Sequence, residues 1–133
     1  EYENIYFIRS SKYMSKTDKL RLHNYLEHIL EAILRIEKYT DDMVEWVFID
    51  NNLVQDAVIR NLEIIGEACR NIERHFPEFQ KNYPDLPLGI AYEMRNALAH
   101  GYFAVDLEIV WRTIENDLPL LKKQVQVIYE QLQ

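Results

Sequence analysis

The chain has 133 residues, with 15 Lys and Arg against 22 Asp and Glu, 48% hydrophobic residues, three glycines, four prolines and one cysteine. That length suits one domain around one core; a lone Cys69 excludes an internal disulfide framework, scarce Gly and Pro argue against a turn-rich all-β fold, and no apolar run approaches the ~20 residues of a membrane span or forms a secretory leader. A formal charge of −7 argues against indiscriminate nucleic-acid binding, which needs a basic face, so the expectation is a soluble, cytoplasmic, acidic and mostly helical protein.

Residues 1–13 are read apart from the fold. Glu3-Asn4-Ile5-Tyr6-Phe7 is like a degraded engineered protease-cleavage linker, which makes Met14 the natural start and 14–133 a single domain. Without that segment 13 bases face 20 acids, and the balance is still −7. Ser15-Lys16-Thr17-Asp18 then opens a helix to Tyr39 in the manner of a capping box. Leu22, Leu26, Ile29, Ile33 and Ile36 alternate four- and three-residue steps, one apolar stripe that Leu30 and Leu34 widen. His23 and His28 are five apart, off ligand spacing, and read as surface or boundary residues.

Thr40-Asp41-Asp42 reads as a break and a new N-cap before a short apolar piece, Met43 to Ile49. A second long helix is predicted from Asn51 or Asn52 to Arg74, with Val54, Ala57, Val58, Leu62, Ile65, Cys69, Ile72 and Phe76 as its stripe. Gly66 inside it suggests close approach of another helix, and Cys69 on the stripe suggests a structural thiol. Three of the four prolines fall in 77–87, a turn or single-turn region. A shorter helix over 88–100 follows, stopped by Gly101, with Ile90, Met94, Ala97 and Leu98 inward. The last helix starts near Asp106 and carries Val110, Ile114, Leu118, Leu121, Val125 and Ile128; Pro119 should kink or restart it, with Asp117 as a local cap. The fold expected is all-α, an up-and-down four-helix bundle with short extra helices.

One constellation is more specific. Arg95-Asn96-Ala97-Leu98-Ala99-His100-Gly101-Tyr102-Phe103, followed by Val105-Asp106 and Val110-Trp111, resembles the HEPN superfamily and, within it, HepT-like toxins of HEPN/MNT toxin–antitoxin pairs. Ile65-Gly66-Glu67-Ala68 and Asp117-Leu118-Pro119 look like the same family, so the resemblance runs from about Leu20 to Leu132. It implies a metal-independent ribonuclease acting as a two-fold homodimer, with no cofactor and no metal. Arg95 and His100 are then catalytic, Asn96 is supporting, and Tyr102 is the hydroxyl that an MNT-type nucleotidyltransferase antitoxin adenylylates. RNA is the implied substrate; neither DNA nor a membrane is expected.

The residue types suit that chemistry. A guanidinium holds a phosphate through a planar fork of donors, and an imidazole can move a proton to or from a ribose hydroxyl or a leaving oxygen near neutrality. Five helical residues rotate ~500°, so Arg95 and His100 lie about 140° apart on a regular helix. Either Gly101 turns His100 back, or a second copy completes the site. Trp46, Trp111, Tyr92 and Phe103, outside the core stripes, are candidates to line such a dimer. Plainer alternatives stay open: Arg95 capping carbonyls or pairing with Glu93 or Asp106, His100 favoured by a helix C-terminus, Tyr102 as a half-buried packing residue. A binding module or regulatory partner of a nucleotidyltransferase is the non-enzymatic alternative.

Overall fold

A computed structural model describes residues 14–89, Met94 and 105–132. The linker-like segment 1–13 lies outside the described residues, as does most of the predicted helix over 88–100. Every described element is helical: α1 Lys16–Tyr39, α2 Glu45–Ile49, α3 Asn52–His75, α4 Pro77–Asn82, α5 Leu107–Arg112 and α6 Leu118–Gln131, with a π-helical turn at Thr113–Asp117 between the last two.

Capping residues start the two long helices where the sequence places them. The Asp18 amide donates to Ser15 Oγ at 3.0 Å, and the Val54 amide donates to Asn51 Oδ1 at 3.0 Å. Each bond satisfies a helix-end N–H that has no partner within the helix, a gain of about 1 kcal/mol. The expected stripe of α1 is the core face: Leu22, Leu26, Ile29, Ile33 and Ile36 are fully buried. Leu30 packs at its edge, whereas Leu34 is exposed and does not widen the stripe.

The core lies where α1 meets α3 and α6. From α3 come Val58, Leu62, Ile65, Cys69 and Ile72; from α6 come Leu121, Val125 and Ile128. Each buried aliphatic side chain contributes roughly 1.5–3 kcal/mol of transfer free energy. Gly66 is buried in this wall of α3. Thr40 ends α1, its Oγ1 donating to Ile36 O at 2.7 Å. Asp42 then takes a left-handed backbone, φ 59°, a conformation Asp tolerates better than most residues. It turns the chain but does not cap α2, which begins after Val44 without a side-chain cap.

Pro119 acts one turn earlier than a simple kink. Its ring removes an N–H and crowds the carbonyl of Glu115, four residues back. The chain widens there by one residue, so that the Leu118 amide bonds Thr113 O in the five-residue step of a π-turn. Asp117 remains helical and makes no side-chain cap, contrary to the expected role. A second correction concerns Trp111. It is only 6% exposed, its ring 5.2 Å from that of Phe48, because α2 packs on α5 and adds a wall that periodicity along α5 does not reveal.

Candidate functional site

The residues singled out for chemistry, Arg95, Asn96, His100 and Tyr102, lie outside the described residues, as do Tyr92 and Phe103. What the structure describes is the chain on either side of them. Upstream, Leu86 and Leu88 are buried, and Leu88 and Gly89 have helical backbone. Met94, directly before Arg95, is half-buried. It packs against the core and lines, with Leu62 and Ile65 of α3, Thr113 and Asp117 of the π-turn, and Leu118 and Leu121 of α6, a crevice of about 10 Å³. That space holds one water at most, so Met94 is a packed side chain.

Downstream, Val105 packs against the core and Asp106 caps α5. Its Oδ1 accepts from the Glu108 amide at 3.0 Å and the Ile109 amide at 3.3 Å. A carboxylate at a helix start is favoured by both hydrogen bonding and the helix dipole. Met94 and Asp106 therefore flank the eleven residues that contain Arg95, His100 and Tyr102. Sequence reasoning saw Asp106 as a helix start; the placing of Met94 in one crevice with the π-turn needs the tertiary fold.

Other features have clear placements. Cys69 is fully buried; burial, and secondarily the charge of Glu73, push its thiol pKa well up. It is a packing residue and no nucleophile. His23 stacks on Tyr129 of α6, ring centroids 4.2 Å apart, a boundary position as expected. His28 borders an open groove of about 530 Å³ between α1 and α3, with Arg60, Glu63, Ile64, Glu67, Ala68 and Asn71. Sequence reasoning did not flag this groove, whose lining combines both charge signs. Among the described residues, no cluster of three His, Cys, Asp or Glu is placed to hold a metal ion.

The family model described as "Ribonuclease HepT-like" matches residues 29–128, three-quarters of the chain and all of the stretch between Met94 and Asp106. The chain belongs to the HepT-like family. Its relatives bear this out. A Methanocaldococcus jannaschii protein named "Gamma-glutamylcyclotransferase and putative RNase" is 44% identical over 108 residues, 81% of this chain and 47% of that protein. This HepT-like chain thus spans about half of that relative. The "Probable ribonuclease HepT" of Thermococcus cleftensis is 42% identical over 99 residues, 74% of this chain and 87% of the relative. A second M. jannaschii protein, named "Putative RNase", is 36% identical over 115 residues and is covered along its whole length. No solved structure matches the chain.

Proposed function

We propose that this HepT-like chain is a ribonuclease and the toxin of a HEPN/MNT toxin–antitoxin pair. The observation that carries the reading is the family match over 29–128, which contains the Arg-x4-His-x-Tyr motif at Arg95, His100 and Tyr102. In the proposed reaction the ribose 2′-hydroxyl attacks the adjacent phosphorus. The new O2′–P bond forms as the P–O5′ bond breaks, leaving a 2′,3′-cyclic phosphate and a 5′-hydroxyl. His100 moves the proton and Arg95 stabilises charge on the phosphoryl oxygens, with Asn96 as a supporting contact. No metal or cofactor enters this scheme.

The active unit is a homodimer, with two motifs facing one cleft. Doubling Arg95 and His100 focuses positive charge within a body of −7. Such a cleft selects an exposed single-stranded or looped RNA and discriminates against duplex. The cognate nucleotidyltransferase attaches AMP to Tyr102, where its phosphate occupies the RNA phosphate's place beside Arg95. No described helix is long and apolar enough to cross a membrane, and the cytoplasm, where RNA and antitoxin are met, is the proposed setting.

Two measurements test the scheme. Pure protein incubated with total RNA in EDTA should yield discrete fragments, and Arg95→Ala or His100→Ala should abolish them without loss of helicity. Full cleavage by both variants refutes the catalytic assignment. Co-expression with the cognate nucleotidyltransferase should add mass in multiples of AMP, absent in Tyr102→Phe. Unchanged mass in the parent chain refutes the modification.

A further inference from the structure

The corner between α2 and α3 carries an apolar surface that the fold leaves uncovered. Trp46 is 74% and Leu53 81% exposed, and Val44 and Ile49 beside them are exposed as well. Trp46 and Ile49 stand three residues apart and share one side of α2, while Phe48 turns inward onto Trp111. The corner is rigid: Gln55 is buried in α3, and its Nε2 donates to Phe48 O at 3.0 Å and Ile49 O at 2.8 Å, which fixes how α2 sits on α3. These four side chains present on the order of 500 Å² of apolar surface, the size of the largest apolar patch on a typical monomer, which is often functional.

The stretch of chain that carries it is acidic, bounded by Lys38 and Arg60. Between Tyr39 and Ile59 the chain has five acids and no Lys or Arg, and all five, Asp41, Asp42, Glu45, Asp50 and Asp56, are exposed. The neighbouring α5 does not offset them: it starts with Asp106 and Glu108, and its Arg112 pairs with Glu108 at 3.8 Å. RNA is repelled by such a rim. A second copy docked patch to patch would set five acids against five, a like-charge juxtaposition that disfavours self-association through this corner. A short element with apolar anchors and a Lys/Arg border fits both the size and the charge.

We propose that the Trp46–Leu53 corner docks a basic amphipathic helix of a partner protein, its apolar face on Trp46 and Leu53 and its cations on the acidic rim. None of its residues belongs to the proposed RNA-cleaving motif, and its test does not involve RNA cleavage. The full chain reports its own binding, because Trp46 is exposed to acrylamide and the chain's second tryptophan, Trp111, is buried. The probe is an 18-residue Leu/Lys peptide in helical register. It should protect Trp46 from quenching, whereas its Leu/Glu counterpart should not. Leu53→Ser and the double change Asp50→Lys with Asp56→Lys should each weaken binding tenfold or more. Glu130→Lys, a charge reversal on exposed α6 surface, should leave it unchanged. All these positions are exposed, so the variants should keep the parental helical spectrum. The proposal is overturned by equal binding to the corner variants, by equal weakening in Glu130→Lys, or by equal protection from the Leu/Glu peptide or polyuridylate. Protection that rises with protein concentration alone overturns it too, since it would make the occupant a second copy.

Discussion

Replacing Gln55 by Leu should loosen the α2–α3 corner while leaving the rest of the bundle in place. The side chain keeps its approximate volume, but two donations are lost, to Phe48 O at 3.0 Å and to Ile49 O at 2.8 Å. The Phe48 carbonyl still receives the Asn51 amide at 3.1 Å, so the loss falls mainly on the Ile49 carbonyl. Leaving one such group without its donor costs about 1–3 kcal/mol. A loss near 2 kcal/mol corresponds to about 6–10 °C in Tm for a domain of this size, read by calorimetry or thermal circular dichroism. Gln55→Glu sharpens the test. Its carboxylate faces two carbonyl oxygens, so folding favours the neutral acid and raises its pKa above the unfolded value. The protonated form contributes stability below the unfolded pKa, and that contribution is lost as pH rises through the folded pKa. Gln55→Glu should therefore recover toward the parent on acidification. A Gln55→Leu melt within about 1 °C of the parent, or no relative recovery of Gln55→Glu in acid, refutes the clamp.

Three further outcomes follow from the packing. Cys69, its thiol held protonated by burial, should resist iodoacetamide at pH 8 in the folded chain and react fully in denaturant; rapid labelling of the folded protein contradicts this. Asp106→Ala should destabilise by about 0.5–2 kcal/mol through loss of the α5 cap, with Asp106→Asn close to the parent in urea melts. Burial pushes the Tyr83 pKa from 10.0 up to about 12. The fold therefore holds that proton more tightly, and its contribution is complete below pH 10 and lost as pH rises toward 12. Urea midpoints should fall over that window, and Tyr83→Phe should flatten the fall.

Much of the bundle was legible because a helix declares its buried face through spacing. The steps from Leu22 to Ile36 marked the α1 core, and Ser15 and Asn51 marked helix starts, since capping is a local bond over three residues. Leu34 misled for a physical reason. It lies near the stripe on the helical wheel, but whether its side of the stripe is covered depends on which helix packs there. Pro119 announced an irregularity; where the strain would go, into a π-turn at Thr113–Asp117 and not a cap at Asp117, depends on how the chain is held at both ends. The candidate site was read from residue types and their order, Arg95 to Tyr102, and the described structure adds the packing of Met94 and the capping by Asp106 on either side of it.

By itself the sequence determined a helical chain, the starts of its two long helices, most of its core faces and its membership of the HepT-like family, because these depend on local bonds, periodicity and residue order. Only the tertiary structure decided between the two tryptophans. Both sit off the main stripes, yet α2 packs on α5 and draws Trp111 against Phe48, while Trp46 on the far side of α2 stays in solvent. Burial is a property of what lies opposite a side chain, and that neighbour comes from a distant part of the chain.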